Sequence, residues 1–329
     1  MSAKKGKVFV ARLLPPENRV LEILEPISEL EVGDGRKFTE DELIEKIKDV
    51  DATLVSMQEP MSKRVIESTS KLKIISKYGT GVDNIDLQVA TEKSVIVANS
   101  PLNSDSVVEH TILLTLVCLR KLPKLVEHLR AGKWGLTLPD ELLGRELRQS
   151  TVGIIGVGRI GAKVANIIEC FGAKVIAYDP YVSAKASVIK LVDLETLLKE
   201  SDIITLHVPV TKETKYMISE KEFKLMKPTA ILINTSRGAV IDQEALVKAL
   251  KQKWITAAGI DVLEQYPVPS DSPLLKLENL FLTPHIAAST VNAREKVVTQ
   301  AAKNIELVLQ GKLPPEEFVV NKQVLKGKR

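Results

Sequence analysis

A chain of 329 residues is longer than one hydrophobic core usually serves, so we expect two domains. Its 44% hydrophobic and 27% charged residues are typical of an ordinary soluble globular protein, which excludes a largely disordered chain. The formal net charge of +4 is concentrated in lysines near the two ends, and no basic helix or aromatic platform accompanies it. No nucleic-acid partner is therefore predicted.

The chain shows no sign of a membrane partner or of a disulfide framework. Its most apolar run, residues 111–119, is shorter than the ~20 residues that a membrane span needs, and the N-terminus lacks an apolar signal segment. We therefore expect a cytoplasmic protein. Cys118 and Cys170 lie in apolar helical patterns and are expected to be buried thiols. No metal site is predicted.

In chain order, the first third alternates short apolar runs with amphipathic helical stretches. Strands are predicted at KVFVA, ATLVSM, LKIISKYG and VIVANS, between residues 7 and 100. Runs that are apolar on both faces and separated by helices are typical of parallel sheets with helices on both sides. The first part of the chain is therefore predicted to be an α/β domain.

A long helical segment follows at residues 106–134, with apolar residues at spacings of three and four. It carries more apolar residues than one sheet face can cover. A helix that is apolar almost all round is usually buried between domains or subunits, and we expect this segment to lie at such an interface.

A second group of strands is predicted from residue 151 onward, at TVGIIGV, AKVIAYD, DIITLHV, AILINTS, TAAGIDV and LFLTPH. A last helix is predicted from about Val291 to Leu309. If that helix returns to the first sheet, the N-terminal domain is discontinuous.

The glycine pattern after the first of these strands is the strongest local signal. Gly156, Gly158 and Gly161 form G-x-G-x-x-G after a strand and at the start of a helix. Glycines there let a pyrophosphate approach the backbone amides at the helix N-terminus. Asp179 ends the next strand, where a carboxylate can accept hydrogen bonds from a ribose diol and repel a 2′-phosphate. NAD is therefore the predicted cofactor.

Two later strand ends carry side chains suited to catalysis. Arg237 follows a strand, and an arginine there can hold a carboxylate and stabilise charge on an adjacent carbonyl oxygen. His285 ends an apolar strand and opens onto small residues, so its imidazole can act as general acid or base. His110 and His207 lie in apolar patterns and are compatible with core positions, whereas His128 is expected to be solvated.

The order of these motifs resembles the D-isomer-specific 2-hydroxyacid dehydrogenases, which include D-3-phosphoglycerate dehydrogenase and glyoxylate/hydroxypyruvate reductase. The segments that carry the resemblance are KYGTGVDNIDLQVAT, SVVEHT, GVGRIGAKVA, YDP, HVPVTKET, INTSRGAVIDQEAL, GIDV and TPHIAAST. It implies two doubly wound parallel-sheet domains, with a Rossmann NAD domain (residues 102–287) inserted into a flavodoxin-like substrate domain (residues 1–101 and 288–329). It also implies a homodimer built around the helix near residues 104–130.

The same resemblance implies an activity and a set of site residues. The activity is hydride transfer between NAD and C2 of a small D-2-hydroxy acid or 2-oxo acid, with D-3-phosphoglycerate, glyoxylate and hydroxypyruvate as candidates. Arg237 would bind the substrate carboxylate and carbonyl, and His285 would exchange the proton. Lys77, in SKYGTG, is either a ligand for a substrate phosphate or a solvated lysine. The backbone positions implied for the substrate carboxylate are Gly79, Thr80, Gly81 and Val82. The cofactor contacts implied, besides the three glycines, are Ser100, Arg159, Ile160, Asp179, Val208, Thr235, Asp261 and Ala287.

The segment DVLEQYP, residues 261–267, departs from the family pattern Asp-Val-Phe-x-x-Glu-Pro. The Glu of that pattern is the partner of the catalytic histidine. Tyr266 stands at its position, and Glu264 lies two residues earlier, so either can be the partner of His285. A phenol can orient an imidazole without supplying full charge, so with Tyr266 in that role reduction is expected to be favoured at lower pH.

Two other functions stay open at this point. The change at Tyr266 is compatible with an NAD-sensing binding protein similar to the family's transcriptional corepressors, although retention of Arg237 and His285 counts against it. A dehydrogenase acting on formate or phosphite has no specific support in the loop at residues 79–82.

Overall fold

The computed structural model describes residues 6–134, 138–182 and 189–326. The chain divides into two compact units, one formed by Met1–Asn103 with Ser289–Arg329 and the other by Ser104–Ala288. Each unit is built on a sheet in which every strand pairing is parallel, which confirms the predicted α/β class. In the described part of the chain, no helix is both long and apolar enough to cross a membrane.

The first unit has a five-stranded sheet in the order β2-β1-β3-β4-β5, which is a flavodoxin-like order. Its strands are β1 Gly6–Val10, β2 Ser28–Val32, β3 Ala52–Val55, β4 Ile74–Lys77 and β5 Ile96–Ala98. Its helices are α1 Glu17–Leu24, α2 Glu40–Ile47, α3 Lys63–Glu67, α4 Leu87–Glu92 and, from the C-terminal segment, α11 Val291–Leu309.

Helices cover both faces of this sheet. Because successive strand side chains point to opposite faces, Val8 and Val10 pack with α1 and α11, whereas Phe9 between them packs with α2. The bounds of α11 agree with the predicted last helix, and its contacts with β3 and β4 place it on the first sheet. The prediction missed β2, because this edge strand is mostly exposed and its sequence SELEV lacks a long apolar run.

The second unit has a seven-stranded sheet in the order β12-β11-β10-β9-β6-β7-β8. Its strands are β6 Thr151–Ile155, β7 Lys174–Tyr178, β8 Lys190–Leu191, β9 Ile203–Leu206, β10 Ile231–Asn234, β11 Ala257–Ile260 and β12 Leu280–Leu282. Its helices are α5 Ser104–Leu119, α6 Leu122–Arg130, α7 Arg159–Cys170, α8 Leu194–Glu200, α9 Glu220–Leu225 and α10 Gln243–Lys251. The direction of strand order reverses between β6 and β9, which is where open α/β sheets bind ligands.

The helical segment predicted at residues 106–134 is two helices rather than one. Lys121 has φ of +51°, a left-handed conformation that ends α5, and Pro123 lies in the first turn of α6. Buried residues of α5, among them Leu114 and Cys118, pack with α7 and the central strands.

The expectation for the two cysteines is half right. Cys118 is buried, and burial raises the pKa of its thiol to about 12. Cys170 is exposed at the last residue of α7.

Candidate active site

The carboxyl ends of six parallel strands of the second sheet carry the predicted cofactor and catalytic residues. In the order of the sheet, these ends lead into His285 after β12, Asp261 after β11, Arg237 after β10, Val208 after β9, Gly156 after β6 and Asp179 after β7. Parallel strands bring all of these ends to the same edge of the sheet. The other predicted residues of this unit lie in the loops and helix that start there.

The glycine loop, residues 156–161, is shaped by close backbone contacts. Gly156 has φ of +92°, and a Cβ on it would lie 2.7 Å from the carbonyl oxygen of His207. A Cβ on Gly161 would lie 2.0 Å from the carbonyl oxygen of Gly156. Side chains are therefore excluded at both positions.

Gly158 has a different environment, because a Cβ placed on it meets no atom within 4 Å. It is the N-cap of α7 and offers no side chain to the amides of the first helical turn, which begins with Arg159 and Ile160. An open space beside uncapped amides at a helix N-terminus fits a pyrophosphate. The loop therefore fits the dinucleotide that the sequence predicts.

Asp179 lies directly after β7 and is held by backbone amides. Its Oδ2 accepts a hydrogen bond from the Val157 amide at 2.8 Å, and its Oδ1 accepts one from the Tyr181 amide at 2.9 Å. Each carboxylate oxygen has a further acceptor site. Asp179 can thus stabilise the turn at Val157 and still accept a ribose hydroxyl.

His207 supports the glycine loop and lies just before Val208. Its backbone amide donates to Ile155 O at 2.8 Å, and its Nε2 is 3.0 Å from Thr205 Oγ1. Burial lowers the pKa of His207 to about 3, so this imidazole is neutral at physiological pH.

The turn that carries Arg237 is organised by the buried side chain of Asn234. Asn234 Nδ2 donates to Arg237 O at 2.9 Å, and Asn234 Oδ1 accepts from Ser236 N at 2.9 Å. The neighbouring Thr235 is buried, with its hydroxyl 2.8 Å from that of Thr111. The Arg237 guanidinium is partly exposed and donates through Nη1 to Ser236 O at 2.7 Å.

Gly238 brings this turn against the next one. A Cβ on Gly238 would lie 2.0 Å from Leu263 C and 2.4 Å from Glu264 N. Only glycine therefore lets the Arg237 turn and the Tyr266 segment, residues 261–267, approach so closely.

Asp261 holds the His285 loop, residues 283–287. Its backbone oxygen accepts a hydrogen bond from His285 N at 2.9 Å, and its Oδ2 accepts one from Ala287 N at 2.9 Å. Its Oδ1 accepts from the Thr283 hydroxyl at 2.5 Å and from Ile286 N at 2.9 Å. His285 itself has φ of +54°, so this buried aspartate fixes the catalytic candidate in a left-handed conformation.

Tyr266 contacts the imidazole of His285 with its ring. The ring centroids are 5.6 Å apart and the planes are tilted by 38°. The Tyr266 hydroxyl accepts a hydrogen bond from Leu263 N at 2.6 Å, so it is tied to its own loop. Burial is the largest cause raising the pKa of the Tyr266 phenol, which therefore stays neutral at physiological pH. Tyr266 can orient the imidazole but supplies no charge.

Glu264 is directed to another residue. A hydrogen bond from the Tyr216 hydroxyl to the Glu264 carboxylate raises the pKa of the Tyr216 phenol. Tyr216 has φ of +54° and donates its backbone amide to Ala239 O at 2.8 Å, next to the Arg237 turn. Of the two candidates for a partner of His285, the structure thus brings Tyr266 to the ring and pairs Glu264 with Tyr216.

The first unit contains the predicted substrate loop, residues 79–82. Gly79 has φ of +80°, and its amide donates to Ser100 Oγ at 3.0 Å. Ser100 is fully buried and its hydroxyl donates to Lys77 O at 3.0 Å. Within the described residues, the amides of Thr80, Gly81 and Val82 donate to no protein acceptor. Ser100 therefore shapes this loop, and the three following amides can bind an anion.

Lys77 lies in β4 and is only 3% exposed. Its Nζ donates to Tyr78 O at 3.3 Å. The side chain is thus directed into the unit rather than to its surface.

A family model described as D-isomer specific 2-hydroxyacid dehydrogenase, NAD binding domain, matches residues 112–287. The chain belongs to the D-isomer specific 2-hydroxyacid dehydrogenase family. As a member it is an NAD-dependent oxidoreductase, which confirms the resemblance in its motifs.

Relatives agree with this assignment over nearly the whole chain. The glyoxylate reductase of Thermococcus litoralis is 42% identical over 330 residues, covering 98% of each chain. The D-3-phosphoglycerate dehydrogenase of Methanocaldococcus jannaschii is 43% identical over 312 residues, which are 93% of this chain but 58% of that protein. Among solved structures, D-lactate dehydrogenase from Aquifex aeolicus, complexed with NAD and lactic acid, superposes with a TM-score of 0.86 at 30% identity and covers 96% of this chain and 99% of that one.

Four residues that organise this site were not predicted. They are Asn234, Gly238, Thr283 and His110, the last of which lies 3.0 Å from Thr283 Oγ1. Asn234 and Gly238 flank Arg237 within INTSRG, so their place in the motif was a usable signal. No local pattern links His110 to Thr283, because 173 residues separate them.

Proposed function

We propose that this protein reduces a small 2-oxo acid of the glyoxylate or hydroxypyruvate type to the corresponding D-2-hydroxy acid. The observation that carries the proposal is that Arg237 and His285 follow the two strands on either side of the strand that ends before Asp261, at the sheet edge that also carries a glycine loop fitting NAD. A guanidinium and an imidazole at the same sheet edge are the groups that reduction of a 2-oxo acid needs.

The substrate is proposed to be smaller than a phosphorylated acid. Lys77, the candidate ligand for a phosphate, is buried and directed to Tyr78 O. This burial favours the unphosphorylated substrates, and a glyoxylate reductase is among the relatives of the chain.

In the proposed reaction the protein binds the acid and supplies the proton. Arg237 holds the carboxylate and the C2 carbonyl oxygen, which stabilises the negative charge that develops on that oxygen. His285, protonated on its ring, donates a proton to the same oxygen and is left neutral. A nicotinamide bound in this site would supply the hydride that C2 accepts.

The remaining side chains prepare these two groups. Asp261 fixes the His285 loop through its four hydrogen bonds, and the Tyr266 ring restrains the imidazole. In the first unit, the amides of Thr80, Gly81 and Val82 can bind an anion, whereas the Gly79 amide is already engaged by Ser100.

The cofactor is proposed to bind along the edge of the second sheet. The pyrophosphate would lie at Gly158, Arg159 and Ile160, and the adenosine ribose at Asp179. Val208, Thr235 and Ala287 follow or flank the central strands and would line the rest of the site. Asp179 accepts one backbone amide on each carboxylate oxygen, and each oxygen has a further acceptor site for a ribose hydroxyl. Because the carboxylate is negatively charged, it would repel a 2′-phosphate.

A second copy of the chain is the proposed partner. Large apolar side chains are exposed on α5, on α6 and in the segment that follows, and such patches mark interaction sites. They are Leu113, Leu122, Leu129, Trp134, Leu138 and Leu143. Sedimentation should therefore give a dimer for the native chain and a monomer for Leu113→Lys combined with Leu129→Lys; a native monomer would contradict this part of the proposal.

The activity is tested by NADH oxidation with glyoxylate, hydroxypyruvate, pyruvate and phosphohydroxypyruvate. We expect glyoxylate and hydroxypyruvate to be turned over fastest. His285→Ala should lower kcat by about a thousand-fold or more, because the proton donor is lost, while NADH affinity stays unchanged. Turnover that survives His285→Ala would refute the assignment of His285 as the general acid. NADH binding without turnover of any of the four 2-oxo acids would favour the NAD-sensing binding protein.

A further inference from the structure

His110 links the helix α5 to the His285 loop. Its Nε2 lies 3.0 Å from Thr283 Oγ1 and 3.5 Å from Asp261 Oδ1. Its side chain is 11% exposed. The imidazole therefore contacts Thr283, the first residue of the loop, and Asp261, which holds the loop. Both contacts are largely shielded from water.

The directions of these hydrogen bonds determine where His110 carries a proton. The Thr283 hydroxyl has one proton and donates it to Asp261 Oδ1 at 2.5 Å. A carboxylate can only accept, and Asp261 accepts from two loop amides besides this hydroxyl. Thr283 Oγ1 must therefore accept from His110 Nε2, so Nε2 carries a hydrogen.

The distance to Asp261 supports the same direction. A lone pair on Nε2 would face the negatively charged Oδ1 at 3.5 Å, which is unfavourable, whereas an N–H there is attracted to it. The chain of bonds is therefore His110 Nε2–H to Thr283, Thr283 O–H to Asp261, and Asp261 to the amides of the His285 loop.

We propose that His110 is a positioning residue for the reduction. By donating from Nε2 it holds Thr283 and Asp261 in place, and through them it fixes the loop that presents His285. The inference rests on the proposed function, because its consequence is a correctly placed proton donor. His110 acts through its neighbours rather than on the substrate.

The first test does not depend on turnover. The chain has four histidines, so ¹⁵N-histidine NMR can assign the His110 ring by comparison with His110→Phe. At about pH 9, well above the ordinary pKa of imidazole, His110 should carry its hydrogen on Nε2. A neutral ring with a bare Nε2 would overturn the proposal.

The second test uses a matched pair of variants. His110→Phe keeps a planar ring but has no donor, and kcat should fall about ten-fold, as expected for one lost hydrogen bond. His110→Gln restores an N–H donor and should return kcat to within about three-fold of the native value, with KM little changed in both. Equal losses in the two variants, or no loss in His110→Phe, would contradict the positioning role.

Thr283 offers an independent pair should His110→Phe fail to fold. Thr283→Val removes the hydroxyl while keeping the shape, and Thr283→Ser retains the hydroxyl. We expect the ten-fold loss only in the valine variant; the same kcat in both would overturn the proposal. Turnover by the native protein distinguishes failure of the proposed function from failure of the His110 proposal. If the native protein does not turn over, the proposed function is wrong, and the NMR result still decides whether His110 donates a hydrogen bond from Nε2.

Discussion

Two histidines are tied to Asp261, and each is tied to it in a different way. His110 lies beside the Asp261 carboxylate and the Thr283 hydroxyl, so its environment is charged and hydrogen-bonded. His285 is bound to Asp261 through its backbone amide, and its ring lies next to the neutral ring of Tyr266. The carboxylate is thus used to fix the loop, whereas the imidazole expected to move protons has an aromatic neighbour.

This difference has a chemical consequence. A carboxylate next to an imidazole stabilises its protonated form, and an aromatic ring restrains its orientation with far less effect on charge. In this chain Tyr266 stands at the position of the family's glutamate. Its neutral ring contacts the His285 imidazole, while the charged Asp261 holds the backbone of the His285 loop.

The largest effect is expected where backbone segments touch. Gly238→Ala would place a Cβ 2.0 Å from Leu263 C, pushing the Arg237 turn away from the Tyr266 segment. We expect kcat to fall by about a hundred-fold and stability by about 1–3 kcal/mol, as for other overpacked sites. Steady-state kinetics and thermal unfolding measure the two effects.

Gly158→Ala is the matched control for that change. Its Cβ meets nothing within 4 Å, so the protein should keep its stability and lose only NADH affinity, through contact with the bound cofactor. The explanation would be wrong if Gly158→Ala unfolded the protein or if Gly238→Ala kept its full kcat.

A smaller effect is expected at Tyr266, where two variants distinguish the contribution of the ring from that of the hydroxyl. Tyr266→Ala removes the ring that contacts His285, and kcat should fall about ten-fold. Tyr266→Phe keeps the ring and removes only the acceptor for Leu263 N, costing about 1 kcal/mol of stability and less than about three-fold in kcat. A larger kinetic loss in the phenylalanine variant would mean that the hydroxyl, not the ring, acts on His285.

The smallest effect is expected for Glu264→Gln. Glu264 accepts a hydrogen bond from Tyr216, and a glutamine oxygen can accept it as well. The dependence of kcat on pH should therefore be unchanged, within about two-fold at each pH. A displaced pH profile would show instead that Glu264 supplies charge to His285.

Much of the site could be predicted because its residues follow strands. Each of Gly156, Asp179, Arg237 and His285 comes within a few residues of an apolar run, and parallel strands place such positions at one edge. The family resemblance added roles to these positions. The fold class and the bounds of α11 followed from the same alternation of runs and periodic helices.

Other features depend on contacts that no local pattern contains. Glu264 is hydrogen-bonded to Tyr216, which lies about fifty residues earlier in the chain. The engagement of Ser100 with Gly79, and of His110 with Thr283, likewise joins distant segments. Polar side chains satisfy each other in three dimensions, so sequence periodicity carries no information about these pairs.

The most direct test of the comparison is the pH dependence of NADH-linked reduction in the native protein and in Tyr266→Glu. In the proposed reaction His285 donates a proton, so the rate should fall as pH rises and that proton is lost. The glutamate should hold that proton to higher pH and move the falling limb upward by about one pH unit. An unmoved profile would contradict the account, because it would mean that the residue at position 266 does not act on the His285 imidazole.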